Sequence, residues 1–373
     1  MRLTKFKDAV EELLSLADVN VNGHKPWDIR IHNENFYKRV MTDGSLGLGE
    51  AYMDGWWDCD MLDDFFCRIL RAKLDEKVKG SRLLLLKLVL FKIFNMQSKK
   101  RAFQVAERHY DLDNELFEIM LDSLKGYSCA YWQQVQTLDE AQEKKLELIC
   151  RKLGLAPGMK ILDVGCGWGS FAKYAAEQYG VEVTGVTVSG EQLNYCSALC
   201  KKLPIDIKLR DYRDISGKFD HIVSVGMFEH VGCKNYRTFM KVMHHCLKEN
   251  GLFLLHTIGG NVSRNSIDPW INKYIFPNAM LPSVKQIGDA AEGLFVMEDW
   301  HNFSADYDKT LMAWYENFNR NWHKIRHKYD ERFYRMWKYY LHLCAGAFRA
   351  RVNQLWQIVL SKEGVPGGYR SMR

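Results

Sequence analysis

A doubly wound α/β fold is predicted for the larger part of this chain, and three observations predict it. Five short apolar runs recur between residues 160 and 256: Lys160–Val164, Val181–Val186, Ile205–Leu209, Phe219–Val225 and Gly251–His256. Most are separated by ten or more residues, enough for a helix to cross over and bring the next strand back parallel to the last. The first run leads straight into Gly165-Cys-Gly-Trp-Gly169, a strand-to-helix turn at the end of such a sheet where ligands bind. Composition agrees, because 47% hydrophobic and 26% charged residues over 373 positions describe globular domains, two or three by length.

Ahead of this region, residues 1–95 read as a smaller α+β domain. Phe6, Val10, Leu13 and Leu14 share one helical face, followed by the glycine-rich stretch Asp43–Gly49 and the cluster Tyr52-Met-Asp-Gly-Trp-Trp57. The run Leu83–Phe94 has twelve residues with two lysines, well short of the roughly 20 that a bilayer span needs. With Lys77, Lys79, Arg82 and Lys99-Lys-Arg101 it suits a peripheral membrane contact, and it suits a buried inter-domain or dimer helix equally well. Residues 96–106 are expected to be a linker and 107–373 the second domain. After Thr310, Leu311, Trp314, Tyr315, Phe318 and Trp322 recur at helical spacing, and Phe333, Trp337 and Tyr340 make a second stripe. Such stripes usually pack a core.

Charge and cysteines narrow the classes further. The 52 Lys+Arg against 46 Asp+Glu leave +6, which permits an anionic partner without naming one and makes no case for nucleic acid. Ten cysteines include no C-x-x-C pair, and Cys196 and Cys200 lack a second ligand pair, so no metal is expected. The first residues carry no apolar h-region and no small-residue cleavage site, which makes a cytoplasmic location the expectation.

The glycine turn leaves three readings open on its own. It can bind a nucleotide-like cofactor through close backbone approach and the free N–H groups of a helix start. A dinucleotide site wants G-x-G-x-x-G with an acid about 20 residues on, whereas here the spacing is G-x-G-x-G and the next strand ends in Thr187-Val-Ser189. A tight turn that binds nothing is the third.

The set Thr187, Ser189 and Gln192 resembles the Thr-x-Ser-x-x-Gln of cyclopropane-fatty-acyl-phospholipid synthases, a family within the S-adenosylmethionine-dependent methyltransferases. Seven further motifs stand in that family's order: His109–Leu112, Tyr127–Trp132, Gly165–Gly169, Gly226–His230, Leu254–Ile258, Ala305–Tyr307 and Cys344–Arg349. Gly44–Trp57 is similar to the N-terminal domain of the long bacterial form. The resemblance implies a Rossmann-like class I methyltransferase domain with a smaller α+β N-terminal domain that takes part in dimer formation.

It also implies a reaction: transfer of a methylene group from S-adenosylmethionine to the cis double bond of an unsaturated acyl chain in membrane phospholipid, closing a cyclopropane ring. The cofactor would lie among Tyr127, Ser128, Gly165, Gly167, Gly169, Thr187, Ser189, Gln192, Tyr212 and Arg213. Bound bicarbonate would serve as general base, held by Cys129, Glu229, His256, the Ile258 backbone and Tyr307. An alkene is a weak nucleophile, and its methylation leaves a carbocation that water would quench, so a dry, aromatic-lined site is required. Cys344 occupies a segment to which such families assign an active-site cysteine, but on an apolar helix its thiol would stay protonated and packing is its expected role. The alternatives are a fatty-acyl methyltransferase of the same family and a non-catalytic lipid-binding relative.

Overall fold

The structure, a computed structural model, describes residues 2–73 and 114–373. The linker expected at 96–106, the run Leu83–Phe94 with its basic neighbours, and the motif His109–Leu112 lie outside the described residues.

The chain forms two compact units. The first takes in Met1–Leu90, Ile267–Pro277 and Tyr307–Asn353, and the second Phe91–Ser266, Asn278–Asp306 and Gln354–Arg373. This differs from the linear division into 1–95 and 107–373, because two late segments pack with the N-terminal region. Apolar pairing across long sequence separations is the reason. Trp270 lies so close to Gly49 that a Cβ there would come within 2.3 Å of the indole. The Tyr339 ring meets Phe66 at 4.9 Å and Tyr52 at 5.5 Å, and Arg335 donates to the carbonyls of Tyr52 and Trp57.

In this first unit a short ladder pairs β1 (Arg30–Ile31) antiparallel with β2 (Trp57–Asp58). The glycine-rich stretch falls inside the helix Asn35–Met53, which kinks at Gly44, where φ is 58°. The aromatic stripes do pack: Trp314, Phe318, Trp337 and Tyr340 are buried.

The second unit holds a seven-stranded sheet of β3 (Lys160–Val164), β4 (Glu182–Thr187), β5 (Ile205–Leu209), β6 (Phe219–Val225), β7 (Leu247–Gly260), β8 (Val296–Asn302) and β9 (Asn353–Ser361). The order is β5-β4-β3-β6-β7-β9-β8. Neighbours among β3 to β7 are parallel, and β8 pairs antiparallel with β9. Adjacent residues of a strand serve opposite faces. Ile161 and Val223 join Leu146, Ile149 and Phe171 on one face, while Leu162 and Ile222 join Phe239, Met240 and Met243 on the other. Burial on both faces accounts for the unbroken apolar runs. The chain leaves β3 outward to β4 and β5 and resumes on its other side at β6, so a crevice opens at the carboxyl ends of β3 and β6.

Candidate functional site

The turn after β3 is built on left-handed glycines. Gly165, Gly167 and Gly169 have φ of 82°, 54° and 81°, a region costly for residues with a Cβ. A Cβ at Gly165 would lie 2.7 Å from Met227, whereas at Gly167 it would meet nothing within 4 Å among the described residues. The first glycine is thus required by packing and the second leaves its surface open. Gly169 precedes the helix Ser170–Tyr179 without a side-chain cap, so the helix start offers backbone N–H groups.

At the end of β4 the Thr187 hydroxyl donates to Gln192 Oε1 at 2.7 Å and accepts from the Ser189 amide at 3.1 Å. Ser189 caps the helix Gly190–Leu199 by accepting from the Gln192 amide. The three residues singled out in the sequence therefore form one interlocked turn. Beyond β5, Tyr212 is buried against Phe239, and its hydroxyl has no hydrogen-bond partner among the described residues. Burial pushes that phenol up to about 12. Arg213 forms a two-pronged pair with Asp211 at 2.7 Å on each prong, which fixes its guanidinium beside the Tyr212 ring.

The carboxyl ends of β6 and β7 bring Glu229 and His256 to the same edge of the sheet, since Val225 pairs with His256 and Glu229 follows four residues later. Glu229 is fully buried. Its Oε1 accepts from the Ile258 amide at 2.6 Å, and its Oε2 has no partner among the described residues. Burial pushes this carboxyl up to about 7, against the opposing pull of the Ile258 N–H. His256 meets the Gln357 side-chain amide through Nδ1, 3.3 Å away, leaving Nε2 as its other ring nitrogen. That Nε2 is also without a partner among the described residues, and burial holds the ring neutral. The Ile258 amide, expected to face an anion, instead donates to Glu229. Its part is to orient the carboxyl, because the strand presents that N–H directly to Oε1. Cys129 is buried, its thiol 3.2 Å from the Ala130 carbonyl.

Residues the sequence reading missed lie beneath the loop that carries Ser128. Lys145, on the helix Leu138–Leu153, is buried and donates to Ser128 Oγ at 3.0 Å. Gln142, one turn earlier, donates to the carbonyls of Gly126 and Ser128, both at 2.9 Å. Asp163 is fully buried near the end of β3, its Oδ2 lacks a partner among the described residues, and burial pushes it up to about 7. A lysine and a glutamine on the apolar face of a helix are the signal that could have found the first two. β8 and β9 were missed as well. β8 (VMEDWHN) is mostly polar, but Leu355–Leu360, ahead of Gly364 and Pro366, has a readable strand pattern.

Tyr307 and Cys344 belong to the first unit. The Tyr307 ring packs on Phe348 at 4.6 Å and on Trp314 at 6.0 Å. Burial pushes the Cys344 thiol up to about 12, which keeps it protonated. Tyr127 packs edge-on against Phe117 at 5.2 Å in the second unit.

Over 362 residues, 97% of this chain and 94% of the relative, the sequence is 56% identical to the cyclopropane-fatty-acyl-phospholipid synthase of Escherichia coli K12. The cyclopropane synthase MmaA2 from Mycobacterium tuberculosis superposes with a TM-score of 0.66 at 31% identity, covering 70% of this chain and 98% of that one. Mycolic acid cyclopropane synthase CmaA1, solved with SAH and CTAB, gives a TM-score of 0.65 at 34% identity, with coverage of 70% and 98%. The family model described as mycolic acid cyclopropane synthetase matches residues 97–358, and this chain belongs to that family.

Proposed function

We propose that this chain is an S-adenosylmethionine-dependent cyclopropane-fatty-acyl-phospholipid synthase. The observation that carries the proposal is the pair of buried, unpartnered groups, Glu229 Oε2 and His256 Nε2, at the carboxyl ends of β6 and β7 beside the open glycine turn. The fit to the cofactor rests on that turn, whose backbone at Gly167 is left open and whose helix start is uncapped by side chains. Gly165, Gly167 and Gly169 would form its floor, Thr187, Ser189 and Gln192 would meet the ribose, Tyr212 and Arg213 the adenine, and Tyr127 and Ser128 the methionine end. When bound, S-adenosylmethionine supplies an electrophilic sulfonium methyl.

The protein's own groups have three tasks. They hold an unsaturated acyl chain against that methyl, they keep water from the carbocation that then forms on the chain, and they place a weak base where the new methyl loses a proton. In our reading the base is bicarbonate. A carboxyl that burial brings near neutrality can share a proton and a neutral imidazole adds no charge, so Glu229 and His256 suit a small oxyanion. Within the second unit Cys129 completes the proposed set. The substrate is phospholipid at the membrane face; no helix among the described residues is long and apolar enough to cross a bilayer. We further propose a homodimer formed through the N-terminal domain and a cytoplasmic, peripheral association.

The test is incubation with vesicles of cis-unsaturated phospholipid and S-adenosylmethionine, with and without bicarbonate, followed by lipid mass spectrometry. Addition of one CH2 per double bond, faster with bicarbonate, is the expected result. A gain of CH4 would indicate reductive methylation and overturn ring closure; no modification of the lipid would overturn the enzyme reading.

A further inference from the structure

The segment that carries Tyr127, Ser128 and Cys129 is tied down from below by buried polar groups that the mechanism does not use. Asp122 accepts from the amides of Leu124 and Gly126. Gln142 grips the carbonyls of Gly126 and Ser128 with its side-chain amide. A Cβ at Gly126 would come within 2.7 Å of Gln142 Oε1, so a side chain here would push on the Gln142 amide. Lys145 completes the set through its 3.0 Å bond to Ser128 Oγ. Gln142 and Lys145 stand three residues apart, so one helical face carries both.

A lysine with 2% of its surface exposed is a costly way to fill a helix–sheet interface that Leu146, Ile149 and Leu153 otherwise pack. Asp122, Cys129 and Asp163 are the acidic groups that face it, Asp122 with the largest effect. Burial brings the ammonium down to about 8, and these groups oppose that shift. Because the hydroxyl oxygen of Ser128 accepts from Lys145, its hydrogen is left to donate away from the helix.

We infer that Lys145 is a positioning residue for methyl-donor binding: acting through the Ser128 hydroxyl, it holds the Tyr127–Cys129 segment in the shape that receives the donor. This rests on the reading of Ser128 as a cofactor contact. Gln142 supports the same segment through its carbonyls, but only Lys145 reaches a side chain of the site. The coupling between Lys145 and Ser128 should therefore be read in donor affinity, beyond any effect on folding.

The test is calorimetric titration of the full chain with S-adenosylmethionine for wild type, Lys145→Met, Ser128→Ala and the double variant, alongside KM for the phospholipid. Lys145→Met should weaken donor binding about 10- to 100-fold, the usual range for loss of a buried charged hydrogen bond, and leave the phospholipid KM within about twofold. In the Ser128→Ala background the same change should cost no more than about twofold, because the bond is already gone. Wild-type affinity in Lys145→Met, or losses that multiply in the double variant, overturns the inference. If Lys145→Met does not fold, Ser128→Ala alone decides, since unchanged donor affinity there removes the route through which Lys145 acts. A wild-type chain that binds no S-adenosylmethionine would instead sink the functional reading on which the inference stands.

Discussion

Replacing Glu229 by Gln should abolish turnover while stabilising the folded protein at alkaline pH. Burial pushes this carboxyl from its ordinary 4.5 to about 7. Below pH 4.5 it is protonated in both folded and unfolded chains and makes no difference. Between 4.5 and 7 the unfolded chain releases the proton and the folded one keeps it, so stability falls as pH rises through this window and levels off above it. At 1.36 kcal/mol for each pKa unit, the loss at pH 8 is about 3 kcal/mol. Gln carries no charge at any pH, and its side-chain carbonyl still accepts the Ile258 N–H that now bonds Oε1 at 2.6 Å. The variant should therefore match wild type near pH 4.5 and exceed it near pH 8 by roughly 4 °C in melting temperature for a chain of 373 residues. Turnover should fall about 10²- to 10⁴-fold, because Gln donates a hydrogen bond but cannot share a proton with a bound oxyanion. Thermal unfolding at both pH values, with activity on unsaturated vesicles, checks this. A stability difference that does not grow with pH, or retained activity, would refute the assignment of a buried, near-neutral carboxyl to the reaction centre.

Two further predictions separate roles within the site. Cys344→Ser should retain measurable turnover under conditions where Glu229→Gln has nearly none, because burial keeps that thiol protonated and ring closure needs no thiolate; equal inactivation of two folded variants contradicts this. Gly165→Ala should lose both stability and donor binding, since its Cβ would strike Met227, whereas Gly167→Ala should lose donor binding at a stability cost of about 1 kcal/mol for its left-handed backbone. Differential scanning calorimetry paired with S-adenosylmethionine titration distinguishes the two.

How much was legible in the sequence depended on whether a residue's partner is local. β3 and β6 match their predicted runs end to end, because central strands covered on both faces are mostly apolar, and β5 matches as an edge strand whose Ile205 and Ile207 alternate with exposed Asp206. Thr187, Ser189 and Gln192 were equally accessible, because a cap and its partner lie within five residues. β7 runs past its apolar core to Gly260, and no composition signal marks that extension. The two compact units were hidden for the same reason: Trp270 and Gly49 meet across more than 200 residues, and neither local pattern announces the other. Lys145 was the hardest case. In sequence it is one charge among several on an amphipathic helix, and only the fold shows that it points inward at Ser128.

The charge states of the second unit answer a single chemical demand. Burial pushes the carboxyls of Glu229 and Asp163 up to about 7, toward their neutral forms, and keeps His256 uncharged. Burial likewise pushes the Cys150 thiol upward, and a hydrogen bond with Cys196 together with burial does so for Cys166, so neither offers a thiolate. A reaction that passes through a carbocation on an acyl chain tolerates donors and a weakly basic anion but no strong nucleophile, which would trap the cation covalently. A nearby fixed cation would raise the energy of that same intermediate. Lys145 escapes the conflict through its surroundings: Asp122 opposes its charge most among the neighbouring acids, and its ammonium is committed to the back of Ser128. On the proposed reading the site draws rigidity from a buried charge while it offers the methyl donor a hydroxyl and the reaction centre a carboxyl near neutrality and a neutral imidazole.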